Sequence, residues 1–590
     1  MKKKIIISIV AVAVLAITVG GVIMALQKSK VLGTLGIIPG SSKDIWEYVA
    51  KNDTYDGGAV YEASAGGVKD VSTVISSSSV SSAGKYTSSS DSYLGYTVGG
   101  SQNAKNFREN IKNNYLPLST DITYNGIYSE YYFDTGDVKR KSEEMFSPSY
   151  ATAVSTNPIT GEKEYYMSVG LNSNIKESDF NRKNINLVVV LDISGSMSSS
   201  FNKYYYDKKD LSVDDFDTRS KMKLAEECVN CLIDKLRPDD RIGIVLFESN
   251  AHCGCKITKK SEINIDSLKS HILEVEPRGG TNFSAGYDMA SNLYNNEMLF
   301  DENYDNRIVV VTDAMPNMGQ YGDSQMLSRI KSNADKKLYT SFVGVGVDFN
   351  TKFTENVSDV KGFNYYSVHS GKEFNKILAE DFDYMVTPLV FDLNLDFKSN
   401  NYEIAGVYGS DSVNKSSGTI MHINTLFPSS SNSDGDVKGG IVLLKLKKRN
   451  NSDDSNIELN VSYKDRADQK HNCNEKVVFN EGRNDFYDNT GIRKAILLAR
   501  YVGTMKNWIL YEQSKYDEFK APIDVTCYDH EEEYAKVTLG INERKSIPLS
   551  VSSEYKDVFK KFLSYIESEK KELKDEDLIN EIEVVNQLIK

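Results

Sequence analysis

The sequence predicts a multidomain chain, α/β plus β. A doubly wound, Rossmann-like domain at 182–387 is followed by a small β-sandwich at 388–481 and a helical region at 482–590. Three observations predict this. Apolar, β-branched runs alternate with amphipathic helical stretches over about 200 residues from Asn186 onward. After Pro388 the pattern changes to a period of two, as in Ile457, Leu459, Val461 and Tyr463. Ala495, Leu498, Val502, Met505 and Ile509 then recur at spacings of three and four, which is one face of a helix.

The chain begins with Lys2, Lys3 and Lys4 before an uncharged run from Ile5 to Leu26, 22 residues long. That length suffices to cross a bilayer as a helix. It exceeds the apolar core of a usual signal peptide, and no small-x-small cleavage site stands out. Residues 1–27 therefore read as an uncleaved transmembrane anchor with the N-terminus inside. A removed signal peptide is the alternative, and it too puts the rest of the chain outside the cytoplasm. Lys28 and Lys30 follow the run, so flanking charge does not settle orientation. Residues 28–105 are expected to form a stalk, because Gly57–Ser101 is rich in Ser and Gly and has little to bury. Residues 106–181 are expected to be a short β-rich segment, from the Tyr-rich stretches Tyr128–Phe133 and Tyr165–Leu171.

Within the α/β domain, Leu187–Leu191 is a continuous apolar run, the mark of a strand buried on both faces. Further strands are expected at Arg241–Phe247, near Cys253–Thr258, at Ile308–Thr312 and at Leu338–Val347. Helices are expected at Arg219–Leu236, Asp266–Val275, Asn282–Asn295, Asp323–Asp335 and Gly371–Met385. The sandwich strands are expected at Val390–Phe397, Thr419–Leu426, Gly440–Leu446 and around Ile457–Tyr463, with a polar loop at Ser429–Asp436. A last helical stretch runs from Ser553 to Ile589, and its charge run Glu567–Asp577 reads as a solvated face.

Composition excludes some functions. A net charge of −13 is opposed to broad nucleic-acid binding, which needs a positive footprint. No H-E-x-x-H, P-loop or G-x-S-x-G pattern occurs. The six cysteines are too sparse for a disulfide scaffold. Cys228, Cys231, Cys253 and Cys255 could in principle hold zinc. Cys228, however, falls on the apolar face of a predicted helix with Leu224, Ala225, Val229 and Leu232, which favours buried thiols or one local disulfide.

The chemistry concentrates at Asp192-Ile193-Ser194-Gly195-Ser196, directly after the buried strand. In open parallel sheets, ligands bind at the carboxyl ends of strands. Asp313 follows the strand Ile308–Thr312 at the same edge, and Thr281 lies in the loop Gly279–Asn282 before a helix. Two carboxylates and three hydroxyls are hard oxygen donors, suited to Mg²⁺, Mn²⁺ or Ca²⁺, with Mg²⁺ first. Because most of the contacting donors are neutral, such a cation retains positive charge for a carboxylate from a partner. Gly195, Gly279 and Gly280 are expected to ease the backbone around it.

The stretch Asp192–Ser196 resembles the D-x-S-x-S motif of the von Willebrand factor A metal-ion-dependent adhesion site. Thr281 and Asp313 stand where that family has its second and third motifs. The resemblance implies direct coordination by Ser194 and Ser196, with Thr281 joining in the ligand-ready form. It implies that Asp192 and Asp313 act largely through water. The chain departs from the family at Ala314, where glycine is usual, and in an insert at Ser198–Asp217 that carries Tyr204–Tyr206. The order of segments is also similar to bacterial extracytoplasmic proteins likened to inter-alpha-trypsin inhibitor heavy chains or calcium-activated chloride channel regulators. A channel function does not carry over, since one anchor helix forms no pore. The expected role is non-enzymatic: a membrane-anchored, extracytoplasmic adhesion module whose cation takes an Asp or Glu of a protein partner. The alternative is a structural subunit of a cell-envelope complex, with the A-type domain as scaffold.

Overall fold

In the computed structural model, the described residues are 42–49, 93–101, 104–138, 144–204, 219–313, 323–349, 351–370, 381–410, 419–449, 456–480, 485–516, 524–529, 532–538 and 546–590. The α/β domain holds a seven-stranded sheet. Its strands are β1 (Gly100–Ser101), β2 (Asn184–Asp192), β3 (Arg241–Phe247), β4 (Ala251–Lys259), β5 (Tyr304–Thr312), β6 (Leu338–Val345) and β7 (Asn364–Val368), in the spatial order β1-β7-β6-β5-β2-β3-β4. Neighbours run parallel except β3 and β4.

Strand β2 shows why its sequence is apolar throughout. Leu187, Val189 and Leu191 join a core with helices α1 (Lys221–Lys235) and α2 (Ile265–Leu273) on one face. Val188 and Val190 join a second core with α3 (Phe283–Asn292), α4 (Asp323–Asp335) and α5 (Thr351–Ser358) on the other. A strand covered on both faces cannot alternate with polar residues. Side chains of Ser220, Asn264 and Asn282 accept backbone N–H groups at the starts of α1, α2 and α3, as N-caps do.

Observed bounds match the expected ones at Arg241–Phe247 and Asp323–Asp335. Strand β7 and helix α5 were not anticipated, because NYYSV and TKFTENVS are short and mixed in polarity. The helix expected at Gly371–Met385 is seen at 381–385, and 371–380 lie outside the described residues.

Ten further strands form an antiparallel sheet around the long strand Lys163–Lys176. That strand pairs with Phe146–Thr156 on one side, and with both Ile441–Lys448 and Tyr93–Val98 on the other. Met167, Val169 and Leu171 share one core with Leu393 and Leu395, Val442 and Leu444, and Leu459 and Val461. The sheet thus folds over itself as a sandwich. Segments expected separately at 106–181 and 388–481 interlock in this sheet, with Val169 opposite Val442. The first of them also holds helices, Lys105–Lys112 and Tyr124–Tyr128, so Tyr128 ends a helix where a strand was expected.

The outer face of this sheet is covered by C-terminal helices. Ala151, Ala153, Ile441 and Leu443 pack under Thr490–Gln513, Ser553–Leu573 and Ile579–Ile589. Along Ile441–Leu444, alternate side chains therefore enter two different cores. The charge run at 567–577 is not merely solvated. Glu569 is buried against Arg493 at 2.7 Å, and Asp575 lies 2.6 Å from Lys494. The region at 482–590 is also not wholly helical, since Asp524–Asp529 and Glu532–Thr538 form a hairpin.

Part of the expected stalk is structured. Residues 42–49 lie along the β4 edge, where Glu47 N donates to Gly254 O at 2.7 Å and Trp46 stacks on His271. Ile45, Trp46 and Tyr48 supply apolar contacts that the Ser/Gly composition concealed. The anchor expected at 1–27 lies outside the described residues. Among the described residues, no helix is long and apolar enough to cross a membrane.

Candidate metal centre

Asp192 is the last residue of β2, and Asp313 is the first beyond β5. These strands are parallel neighbours, with Leu191 opposite Val311, so both carboxylates leave the sheet at the same edge. Ser194 and Ser196 lie in the turn after β2, and Thr281 lies just before α3. Backbone bonds tie these loops together. Ile193 N donates to Phe247 O at 2.9 Å, Gly195 N to Gly279 O at 3.1 Å, and Arg278 N to Ile193 O at 2.7 Å. Of the three glycines expected to ease the backbone, Gly279 has a positive φ of 68°, and Gly195 and Gly280 do not. A Cβ on Gly279 would lie 2.7 Å from Glu248 Oε2.

All five expected donors are buried. Asp192 accepts the Ser194 N–H at 2.9 Å and the Thr312 hydroxyl at 2.5 Å. Burial first, and then the charge of Asp313, push the Asp192 carboxyl up from 3.8 to about 7. The Ser194 and Ser196 hydroxyl oxygens are 3.1 Å apart. Asp313 Oδ2 accepts from Lys221 Nζ at 3.1 Å, while its Oδ1 is buried with no hydrogen-bond partner among the described residues. Two carboxylates buried at one sheet edge, with an Asp313 oxygen that has no hydrogen-bond partner among the described residues, form a donor set that fits a cation.

Sequence reasoning missed four contributors: Thr312, Glu248, Asp348 and Lys221. Lys221 is wholly buried between Asp313 and Asp348. Burial pulls its ammonium down, but Asp348 and then Asp313 outweigh this and hold it above its ordinary value. A signal was present. Lys221 continues the apolar stripe of Leu224, Ala225, Cys228, Val229 and Leu232, where a charge is costly unless paired.

Cys228 and Cys255 are buried free thiols. Among the described residues, no group of three or more His, Cys, Asp or Glu side chains is placed to hold a metal. The Asp192 site falls outside that description because three of its five donors are hydroxyls. Of the insert Ser198–Asp217, the described part ends at Tyr204. That hydroxyl donates to Asn110 Oδ1 at 2.6 Å, and Asn110 donates to Val347 O at 3.0 Å beyond β6. Ala314 lies outside the described residues.

Residues 187–316 match the von Willebrand factor type A domain family, and this span runs from β2 past Asp313. The chain carries a von Willebrand factor type A domain. It is 23% identical over 216 residues to the inter-alpha-trypsin inhibitor heavy chain H2 of Sus scrofa, which is 36% of this chain and 21% of that protein. It is 22% identical over 222 residues to heavy chain H4 of Bos taurus, 37% of this chain and 22% of that protein. The chain thus spans about a fifth of the length of these curated relatives. Among solved structures it is similar to a von Willebrand factor type A protein from Catenulispora acidiphila. There the TM-score is 0.38 at 14% identity, over 62% of this chain and 82% of that one. Manganese-loaded TRAP protein of Plasmodium vivax gives a TM-score of 0.25 at 12% identity, over 54% of this chain and 99% of that one.

Proposed function

We propose that the Asp192 site is a metal-ion-dependent adhesion site, and that the protein works by binding, not catalysis. Ser194 and Ser196 would hold the ion directly, Thr281 would join them when a partner is engaged, and Asp192 and Asp313 would act largely through water. The ion, Mg²⁺ in the first place and Mn²⁺ or Ca²⁺ otherwise, supplies a positive charge that accepts an Asp or Glu carboxylate of a protein partner. The observation that supports this most is the buried pair Asp192 and Asp313 at one sheet edge, where Asp313 Oδ1 has no hydrogen-bond partner among the described residues. The uncharged run Ile5–Leu26 supports a membrane anchor that displays the domain outside the cytoplasm.

Calorimetry on the purified protein tests the metal, and a pull-down from envelope or host extracts tests the partner. Mg²⁺ or Mn²⁺ should bind the wild type and not Asp192→Ala, and capture should stop in EDTA. A partner retained equally by Asp192→Ala in EDTA would refute the adhesion reading. Failure of all three ions to bind the wild type would refute the site.

A further inference from the structure

Lys221 is the first residue of α1, where the helix end already carries positive partial charge, and its side chain is wholly buried. A lysine tolerates such a place only when fixed negative charge surrounds it. Its Nζ lies 2.6 and 2.7 Å from the two oxygens of Asp348 and 3.1 Å from Asp313 Oδ2. The backbone makes room for this. Gly346 has a φ of 94°, and a Cβ there would lie 2.8 Å from Lys221 Cε. Asp348 itself is buried in the loop between β6 and α5, and it is not among the five donors. The buried group therefore counts three carboxylates (Asp192, Asp313, Asp348) and one ammonium, a net charge of −2 by formal count.

We propose that Lys221 and Asp348 are a charge-setting pair: they fix this group at −2, so that a divalent ion is held without Lys221 competing for Asp313. The inference rests on the metal-site reading above and adds two positioning residues to it. With Asp348 present, the ammonium is satisfied mainly by Asp348 and leaves Asp313 to the metal. Without Asp348, the same ammonium has Asp313 as its carboxylate partner and opposes the cation directly.

Mn²⁺ titration, followed by calorimetry and by the paramagnetic signal of free Mn²⁺, tests this on the full chain. Circular dichroism and thermal unfolding serve as the check that each variant folds. Asp348→Asn, formally −1, should bind Mn²⁺ at least about tenfold more weakly than the wild type. The double variant Asp348→Asn with Lys221→Met returns the count to −2 and should bind within about threefold of the wild type. Lys221→Met alone should bind at least as tightly as the wild type. A purely structural pair would not be rescued, so a folded double variant as weak as Asp348→Asn, or weaker, overturns the proposal. Equal affinities across all four proteins overturn it as well. If Lys221→Met does not fold, the other three decide. If the wild type takes up no Mn²⁺, the metal-site reading fails and this inference with it, an outcome separate from wild-type binding without rescue.

Discussion

Asp192→Asn should stabilise the chelated protein while abolishing its response to metal. Asparagine keeps an oxygen for the Ser194 N–H, and its amide can face the Thr312 hydroxyl, which then turns to accept. What is lost is a buried negative charge beside Asp313. In the folded, metal-free protein, burial and Asp313 raise the Asp192 carboxyl from 3.8 to about 7. The sign follows from linkage. Between these values the folded state binds more protons than the unfolded state, so wild-type stability falls as pH rises from about 4 to about 7. About three decades at about 1.36 kcal/mol each give an upper figure of about 4 kcal/mol, fully expressed above about pH 8 and absent below about pH 4. In EDTA at pH 8 the variant should therefore be the more stable protein by up to about 4 kcal/mol, with no difference near pH 4. Free Mg²⁺ at about a thousand times its Kd should add about 4.1 kcal/mol to the wild type alone and close the gap. Urea unfolding at several pH values, with and without Mg²⁺, reads this out. The two tryptophans are Trp46, on the edge of the α/β domain, and Trp508, in the helical layer. A Trp508→Phe background thus makes fluorescence report on the domain that holds the site. A variant less stable than the wild type in EDTA at pH 8, or a difference that does not grow with pH, would refute the electrostatic reasoning.

Two further outcomes are expected. Gly279→Ala meets both a positive φ and Glu248 Oε2, and the backbone term alone costs about 1–2 kcal/mol. Because Gly279 O accepts from Gly195 N, the loop bearing Ser194 and Ser196 should shift, and calorimetry should show at least about tenfold weaker Mn²⁺ binding. Phe559→Ala removes a fully buried ring packed edge-on against Trp508 at 5.7 Å. Denaturant unfolding followed by Trp508 fluorescence should show a loss of about 3–5 kcal/mol in the helical layer, with Mn²⁺ affinity unchanged.

Legibility varied with how locally each feature is encoded. The apolar run Leu187–Leu191 reads as a buried strand because each of its side chains meets a core on one face or the other. Its position marks the edge where Asp192 emerges, so the five candidate donors were accessible from the sequence. Residues 42–49 were hidden by the surrounding Ser/Gly composition, and Ile45, Trp46 and Tyr48 find their apolar partners in a domain far along the chain. The hairpin Asp524–Asp529 with Glu532–Thr538 carries strand residues among many charges, which obscured its period.

The sequence by itself determined the α/β order, the five candidate donors and the helical stripe at 495–509, since periodicity and motif spacing are properties of neighbouring residues. Tertiary structure alone decided that Lys163–Lys176 joins strands from both halves of the chain, and that Lys221 reaches Asp313 and Asp348, 92 and 127 residues away. Such pairings depend on which buried groups face one another after collapse. A one-dimensional pattern specifies which face a residue takes but not which partner it meets.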